Sequence, residues 1–525
     1  MGIYLNPDNE NFRRVLSADI YVDKTGMLSE LNRFIDTGNN YICISRPRRF
    51  GKTIAGNMIN AYYSKGCDSR EMFSPLKISS MPGFGDKLNK YNVIKIDLNS
   101  EYQNAEEKDN TIKRLKKKLK KELYAAFPEI PEDDEASVSE LLLNIYTETG
   151  ETFIIIMDEY DVLVRERAHE SLFNEYLSFL NGLFKSDTLR PAISLAYLTG
   201  ILPVVRDRIQ SKLNNFEEYT ILDAGELTEF VGFTDEEVKT LCDKYDVDYE
   251  QCKLWYDGYC LQGIDIYNPE SVVKSIKRGR FGSYWGKTST YEAIADRIRQ
   301  DFEGTQEDVV KMISGEHVDV NVTGYLNTMD SFATKDDLFT YLMYIGYLAY
   351  DIDEGTCRIP NKEVRREWFN AIEVIDSYKV TNGIIKASKN LVKETIAGNE
   401  AAVAAALHES HFHVTSNRSY NNEDAFCSAI YLAYIYLLNT HTCTKEMTAG
   451  KGFADMVYVP VIKGDPAFII ELKKNKTAES AIDQIKKKEY FKSLEHYRGE
   501  LLFVGIDYDD DDKTHKCKTE WFEKE

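Results

Sequence analysis

Residues 41–53 read YICISRPRRFGKT, and this stretch decides the fold of the N-terminal half. YICIS is a short run of β-branched, aromatic and small residues bounded by a basic, proline-containing segment, which predicts a buried strand. KTIAGNMINAYY after it predicts a helix opening at Lys52 and Thr53. The loop between them comprises Arg46, Pro47, Arg48, Arg49, Phe50 and Gly51. A strand, a loop ending in Gly-Lys-Thr and a helix can cradle phosphate groups. Backbone N–H groups at the helix N-terminus face the anion, the lysine reaches the β/γ-phosphates, and the hydroxyl holds magnesium. The usual signature G-x-x-x-x-G-K-[ST] has glycine where Arg46 stands. Taken alone, the loop reads either as an altered phosphate cradle or as a chance GKT in a basic loop.

Outward from it lie four more apolar runs: NVIKIDL (92–98), TFIIIM (152–157), ISLAYLT (193–199) and YTIL (219–222). Buried runs alternating with helical segments predict a parallel sheet covered on both faces. TFIIIM ends in Asp158 and Glu159. A carboxylate pair at such a strand end suits nucleotide hydrolysis, with Asp158 in the magnesium shell and Glu159 polarising the attacking water. ISLAYLT ends in Thr199 and Gly200, where a polar side chain could sense the γ-phosphate. Arg206 and Arg208 follow; each could reach a phosphate, in cis or from a neighbouring subunit, or form a surface ion pair. Between the second and third strands, TIKRLKKKLKKELYAAF (111–127) has apolar residues at helical spacing and lysines elsewhere. It reads as a solvated helix face or as a helix that contacts DNA.

The chain has 525 residues, too long for one core and enough for about three or four domains. No apolar run approaches the ~20 residues that span a bilayer, so no membrane partner is expected. The N-terminus, MGIYLNPDNENFRRVL, has no basic stretch followed by an apolar one, so no signal peptide is expected. Nine scattered cysteines without a C-x-x-C pair argue against a zinc ribbon or a disulfide framework and suit a reducing, cytoplasmic setting. A net charge of −21 disfavours indiscriminate coating of nucleic acid, although local basic patches and metal ions would still permit a nucleic-acid enzyme.

The expected organisation is a P-loop domain over 1–225, a lid-like helical extension over 226–295, a mostly helical segment over 296–400, and a distinct module over 401–525. Within the third, DLFTYLMYIGYLAYDIDEGTCRIPNKEVRREWF (337–369) reads as helix, hairpin turning at 353–355, and helix, an order shared with winged helices.

The last module opens with an apolar helix, EDAFCSAIYLAYIYLL (423–438), and has strand candidates at 454–460, 467–472 and 501–506. Asp455 stands at a strand start. Glu471 and Lys473 lie two apart on the next strand and so share a face. Two carboxylates on one face can hold a hard divalent ion through oxygen ligands, and a lysine beside them can orient or deprotonate water and stabilise a charged phosphate transition state. An E-x-K on an exposed strand is also an ordinary ion pair. Gln484 and Tyr490 follow in SAIDQIKKKEYFKSL, and Glu423 could add a metal ligand. His408, His411 and His413 cluster without a cysteine or carboxylate at fitting spacing. DYDDDDK (507–513) lacks the glycine of a calcium loop and reads as an acidic turn.

Together, YVDKT (21–25), SRPRRFGKT (45–53), IIIMDEYD (154–161), LTGIL (198–202), LNNF (213–216), WYDGY (255–259), YNPESV (267–272) and YWGKTS (284–289) resemble the prokaryotic AAA-ATPase-like family. GFADMV, IIELK and SAIDQIKKKEY are similar to the PD-(D/E)XK nuclease-superfamily module that members commonly carry at the C-terminus. The resemblance covers nearly the whole chain. It implies an α/β architecture: an ASCE/AAA-like P-loop ATPase domain with a helical extension, then a restriction-endonuclease-like α/β domain. In this family the loop commonly reads R-P-R-R-F-G-K-[ST], so Arg46 belongs to the family's form of it. The resemblance further implies ATP and Mg2+ as cofactors, with Mn2+ an alternative at the nuclease site. Nucleic acid is the implied partner, DNA before RNA, and a homo-oligomer is an open expectation. Asp455, Glu471, Lys473 and Gln484 match the nuclease pattern, whereas Gly452-Phe453-Ala454 stands where members often have an arginine before the aspartate. A rival reading is a nucleotide-dependent switch whose C-terminal module binds nucleic acid or protein without cutting.

Overall fold

Strand β1 (Tyr41–Ser45) is buried along its whole length and runs parallel between two neighbours. In the computed structural model it belongs to a five-stranded sheet with β2 (Asn92–Asp97), β3 (Phe153–Asp158), β4 (Ile193–Gly200) and β5 (Glu217–Tyr219), in the order β2-β3-β4-β1-β5. Every pairing is parallel, as expected for strands joined by helical crossovers. The structure describes residues 2–522 apart from 204–212, 214, 286–293, 295–297, 299–301, 324, 326–331, 376–377, 415–422, 450, 462–463 and 495–496. Arg206 and Arg208 therefore lie outside the described residues.

The register sets up the first site. Asp97 of β2 is level with Asp158 of β3, Asp158 with Thr199 of β4, and Thr199 with Ile44 of β1. The loop after β1 thus leaves the sheet beside two carboxylates, at the strand ends where open α/β sheets bind ligands. Strand β5 ends at Tyr219, earlier than the run YTIL suggests. The Thr220 hydroxyl accepts the N–H groups of Leu222 and Asp223, and this turn draws Ile221 out of the ladder.

Helix α1 (Lys52–Tyr63) follows the loop, and α2 (Thr111–Ala126), α3 (Val138–Thr149) and α4 (Glu170–Phe184) pack as a group. The spacing of Ile112, Leu115, Leu119 and Leu123 gives α2 one apolar stripe, all of it buried. A capping box between Ser137 and Glu140 starts α3, and Gly150 in the left-handed region ends it.

Further along, β6 (Phe233–Thr234), β7 (Tyr259–Leu261) and β8 (Ile264–Tyr267) form a small antiparallel sheet, followed by α5 (Pro269–Arg278). The Asn268 side chain caps α5 by accepting N–H groups from Glu270 and Ser271. A hairpin of β9 (Ala349–Asp351) and β10 (Thr356–Arg358) closes where the Asp351 carboxylate accepts two backbone N–H groups and Gly355 takes a positive φ of 68°.

By internal contacts the chain divides into two units, residues 1–287 with 319–364, and 288–318 with 365–525. The second unit contains α6 (Lys379–Ile396), α7 (Glu400–Val414), α8 (Glu423–Ala433) and α9 (Ala478–Lys487). Its mixed sheet has the order β11-β12-β13-β14-β15, from β11 (His441–Ala449), β12 (Gly452–Pro460), β13 (Ala467–Lys474), β14 (Leu501–Asp509) and β15 (Thr514–Phe522). Only β13 and β14 pair in parallel, and α9 makes the crossover between them. Strand β11, HTCTKEMTA, escapes a reading based on apolar runs because it is a polar edge strand. The helix expected to reach Leu438 stops at Ala433, with a separate turn at Leu437–Thr440. Among the described residues, no helix is long and apolar enough to cross a membrane.

Candidate active sites

In the first unit, a cavity of about 830 Å³ opens at the carboxyl ends of β2 and β3. That volume lies within the range of small-molecule sites, about 300–1,000 Å³. Arg48 to Thr53, Asp97, Asp158, Glu159 and Arg165 line its polar side, and Ile20, Val22, Phe230 and Val273 are among its apolar lining. Gly51, at φ 93°, is the N-cap of α1, and no side chain caps that helix. Its first-turn N–H groups therefore lack the usual side-chain acceptor.

Lys52 is buried, and its ammonium donates to the carbonyls of Arg46 and Pro47, both at 2.9 Å. Burial lowers its pKa, while Glu159, Asp158 and Asp161 act in the opposite direction. Asp158 is 2% exposed, and burial pushes its pKa up to about 6. A hydrogen bond from the Thr53 side chain opposes that rise, and the charge of Glu159 adds to it. Glu159 sits at a positive φ of 54° and is ion-paired with Arg165. Arg165 also bonds Asp161 at 3.1 Å, and Asp161 accepts the N–H groups of Ile201 and Leu202 at 3.0 and 2.8 Å. This buried aspartate ties the end of β4 to the turn after β3. Asp97, Asp161 and Arg165 were not singled out from the sequence. The Asp161–Arg165 spacing of four residues was the available signal for that pair.

The other loop residues divide by environment. Arg46 does not line the cavity. It is fully buried, and its Nη1 donates to the carbonyls of Ser45 and Tyr219, each at 3.0 Å, joining β1 to the end of β5. Burial lowers its pKa to about 10. Pro47 packs so closely on Gly346 that a Cβ there would come within 2.8 Å of the Pro47 Cβ. Arg49 lines the cavity but donates to the carbonyls of Tyr284 and Trp285 and pairs with Glu270 at 3.2 Å. Phe50 meets Tyr259 edge-on, with centroids 5.5 Å apart. Arg48 is exposed on the cavity rim. Thr199 is buried, with its hydroxyl on the Ile44 carbonyl at 3.0 Å, and does not line the cavity.

Arg46→Gly recreates the ordinary loop signature. It should destabilise the protein by about 2–5 kcal/mol, as a large core truncation that strands two buried carbonyls. Denaturant unfolding checks this, and a more stable variant would remove Arg46 from the role of core tie.

The second unit brings Asp455, Glu471, Lys473 and Gln484 together. Pairing of Met456 with Ile470 sets β12 beside β13, and the Leu472 N–H donates to Asp455 Oδ2 at 2.7 Å. Glu471 is 2% exposed; its Oε1 accepts from Lys473 Nζ at 2.8 Å and from Gln484 Nε2. Its Oε2 is buried without a hydrogen-bond partner. Burial, with the charge of Asp455, pushes the Glu471 pKa up to about 7 against the pull of Lys473. Burial also raises Asp455. The Tyr490 hydroxyl accepts from Gln484 at 3.1 Å. Gly505, level with Glu471 on β14, makes this approach possible, because a Cβ there would lie 2.3 Å from the Ala478 carbonyl at the start of α9.

Glu423 is exposed at the start of α8, and its charge adds to the rise at Asp455. Among the described residues, no group of three or more His, Cys, Asp and Glu converges as a metal cage. His408 lies edge-on to His515, with centroids 6.2 Å apart, and the side chains of His411 and His413 lie outside the described residues.

Comparison with known proteins agrees with this division. Residues 9–210 match the family of predicted AAA-ATPases, and residues 421–518 match the PD-(D/E)XK nuclease superfamily. The chain thus carries a P-loop ATPase-like parallel-sheet domain and a C-terminal nuclease-superfamily domain built on a mixed sheet. An uncharacterized protein in the vnfD 5' region of Azotobacter chroococcum mcd 1 is 23% identical over 298 residues, which are 55% of this chain and 55% of that protein. The chain therefore spans about half the length of the curated relative it matches. Among solved structures, the Aeropyrum pernix ORC2 protein in ADPNP–ADP complexes aligns over 69% of this chain and 98% of its own, at 11% identity and a TM-score of 0.31. AMPPCP-bound DnaA from Aquifex aeolicus aligns over 71% and 91%, at 13% identity and a TM-score of 0.25.

Proposed function

We propose that this protein is a magnesium-dependent ATPase coupled to a metal-dependent nuclease that acts on nucleic acid, DNA before RNA. The observation that carries the reading is the buried, unpartnered Glu471 oxygen beside Asp455 and Lys473. Burying an unpaired carboxylate oxygen is costly, so this oxygen fits a site built to receive a cation. Asp455 and Glu471 would hold a divalent cation, Mg2+ or Mn2+, which when bound supplies Lewis acidity and an activated water. Glu423, which does not converge with the pair in the structure, would have to move in to serve as a further ligand of that ion. Lys473 orients the attacking water and stabilises developing phosphate charge, and Gln484 steadies the Glu471 carboxylate.

At the first site, the cavity and the uncapped start of α1 fit a nucleoside triphosphate. Lys52 and the loop amides bind the phosphates, Thr53 and Asp158 would hold Mg2+, and Glu159 orients water. Thr199 stands level with Asp158 on the next strand, in place to sense the γ-phosphate in this reading. The reading keeps an ATPase domain at 1–225, a lid-like extension at 226–295, a winged-helix-like linker at 296–400 and a nuclease-like domain at 401–525. It places the protein in the cytoplasm, which suits its free cysteines, as a homo-oligomer serving a mobile element or defence.

One observation favours a second reading, a nucleotide-dependent switch whose C-terminal module binds without cutting: Arg165 occupies Glu159, the water-orienting group. The test is incubation of the purified chain with single- and double-stranded DNA and RNA, with and without ATP, in Mg2+, Mn2+ or EDTA. Cleavage that needs the divalent ion is expected. ATP binding with neither turnover nor cleavage in any arm would replace the first reading with the switch.

A further inference from the structure

Helix α2 concentrates positive charge in a chain whose net charge is −21. Seven of the nine residues from Lys113 to Lys121 are Lys or Arg, although Lys and Arg make up only 65 of the 525 residues. The burial of Leu115 and Leu119 turns this cluster outward. Some of it has local work: Lys116 pairs with Glu175, Lys118 with Glu101, and Lys120 donates to the carbonyls of Asp134 and Ala136. Lys113, Lys117 and Lys121 are exposed and, among the described residues, have no hydrogen-bond or ion-pair partner. Four-residue spacing sets them in a row about 12 Å long, in steps of about 6 Å. The row borders a groove of about 940 Å³ between α2, the start of α3 and α4. Exposed Glu132 and Asp134 also line it, and the Glu140 carboxylate is engaged in the capping box of α3.

We propose that the row Lys113, Lys117 and Lys121 binds the sugar-phosphate backbone of nucleic acid, giving the ATPase unit a contact of its own. Charge complementarity selects this occupant. Three unpaired ammonium groups on one helix face meet the high charge density of a nucleic acid, and the gain comes from released counterions without base readout. The acidic residues lining the groove limit the contact to the lysine rim and disfavour a strand buried deep in it. This inference rests on the reading that nucleic acid is the substrate.

The experiment measures binding of labelled single-stranded and duplex DNA to the full-length chain by fluorescence anisotropy, in EDTA, from 50 to 200 mM salt. The triple variant Lys113→Gln, Lys117→Gln, Lys121→Gln is expected to flatten the log–log salt slope by about 2–3 and to weaken low-salt binding about tenfold or more. The matching Lys→Arg triple variant keeps the wild-type slope. A neutral triple variant with an unchanged slope overturns the lysine row and leaves the C-terminal reading standing. Wild-type protein that binds no nucleic acid overturns both. Polyglutamate that displaces DNA as well as unlabelled DNA of equal charge would make an acidic polypeptide the occupant instead.

Discussion

Replacing Glu471 by glutamine is expected to remove most divalent-ion-dependent cleavage while ATP still binds. The substitution keeps the shape of the side chain and its place under Gln484 but removes the charge that a cation needs. Glu471 is the most buried carboxylate of the proposed set, with Oε1 taken by Lys473 and Gln484 and Oε2 without a hydrogen-bond partner. Loss of such a charge should lower cleavage by on the order of 10²–10³-fold, the scale seen when one transition-state stabiliser is deleted. The melting temperature supplies a second readout. Mg2+ or Mn2+ should raise it in the wild type, because ligand binding to the folded state stabilises that state, and should leave Glu471→Gln unmoved. Lys473→Met should lose cleavage yet keep the metal-dependent shift, since the lysine acts on water and phosphate. Full cleavage by Glu471→Gln would remove the site from this unit.

Lys52→Ala carries the other large effect. It should remove the ATP-dependent rise in melting temperature and lower ATP turnover by at least about 100-fold. The side chain is buried and bonds two carbonyls of its own loop, so it is held ready beside Asp158 and Glu159. The same two bonds make part of the loss structural. Circular dichroism and the melting temperature without nucleotide separate misfolding from lost binding. Comparable ATP turnover in wild type and Lys52→Ala would leave the loop a structural element only.

Much of the architecture is legible in the chain. YICIS, NVIKID, FIIIMD and ISLAYLTG are apolar enough to favour strands in a covered parallel sheet, and they form four of the five strands of the first sheet, with NVIKID at its edge. The fifth strand is shifted because a Thr220-centred turn competes with the ladder, and β11 escapes a reading of apolar runs because an edge strand need not be apolar. Alternation along β13 put Glu471 and Lys473 on one face, and they meet there. Longer-range partners were not legible. The grip of Asp161 on Ile201 and Leu202 crosses about forty residues of sequence, and periodicity is silent at that distance.

By itself, then, the sequence determined the order of strand, phosphate-type loop and helix, the acidic end of β3, and the paired carboxylates with their lysine, because local pattern and side-chain alternation encode them. Only the tertiary structure decided what each charged residue faces. Arg46, placed where a loop glycine is usual, turns into the core and ties β1 to the end of β5, while Arg48 stays on the cavity rim. Gln484 reaches Glu471 because Gly505 lets α9 sit directly on the sheet. Burial and hydrogen-bond partners are set by elements distant in sequence, and these convert a shared loop of arginines into one core tie, one clamp on Glu270 and one exposed cation.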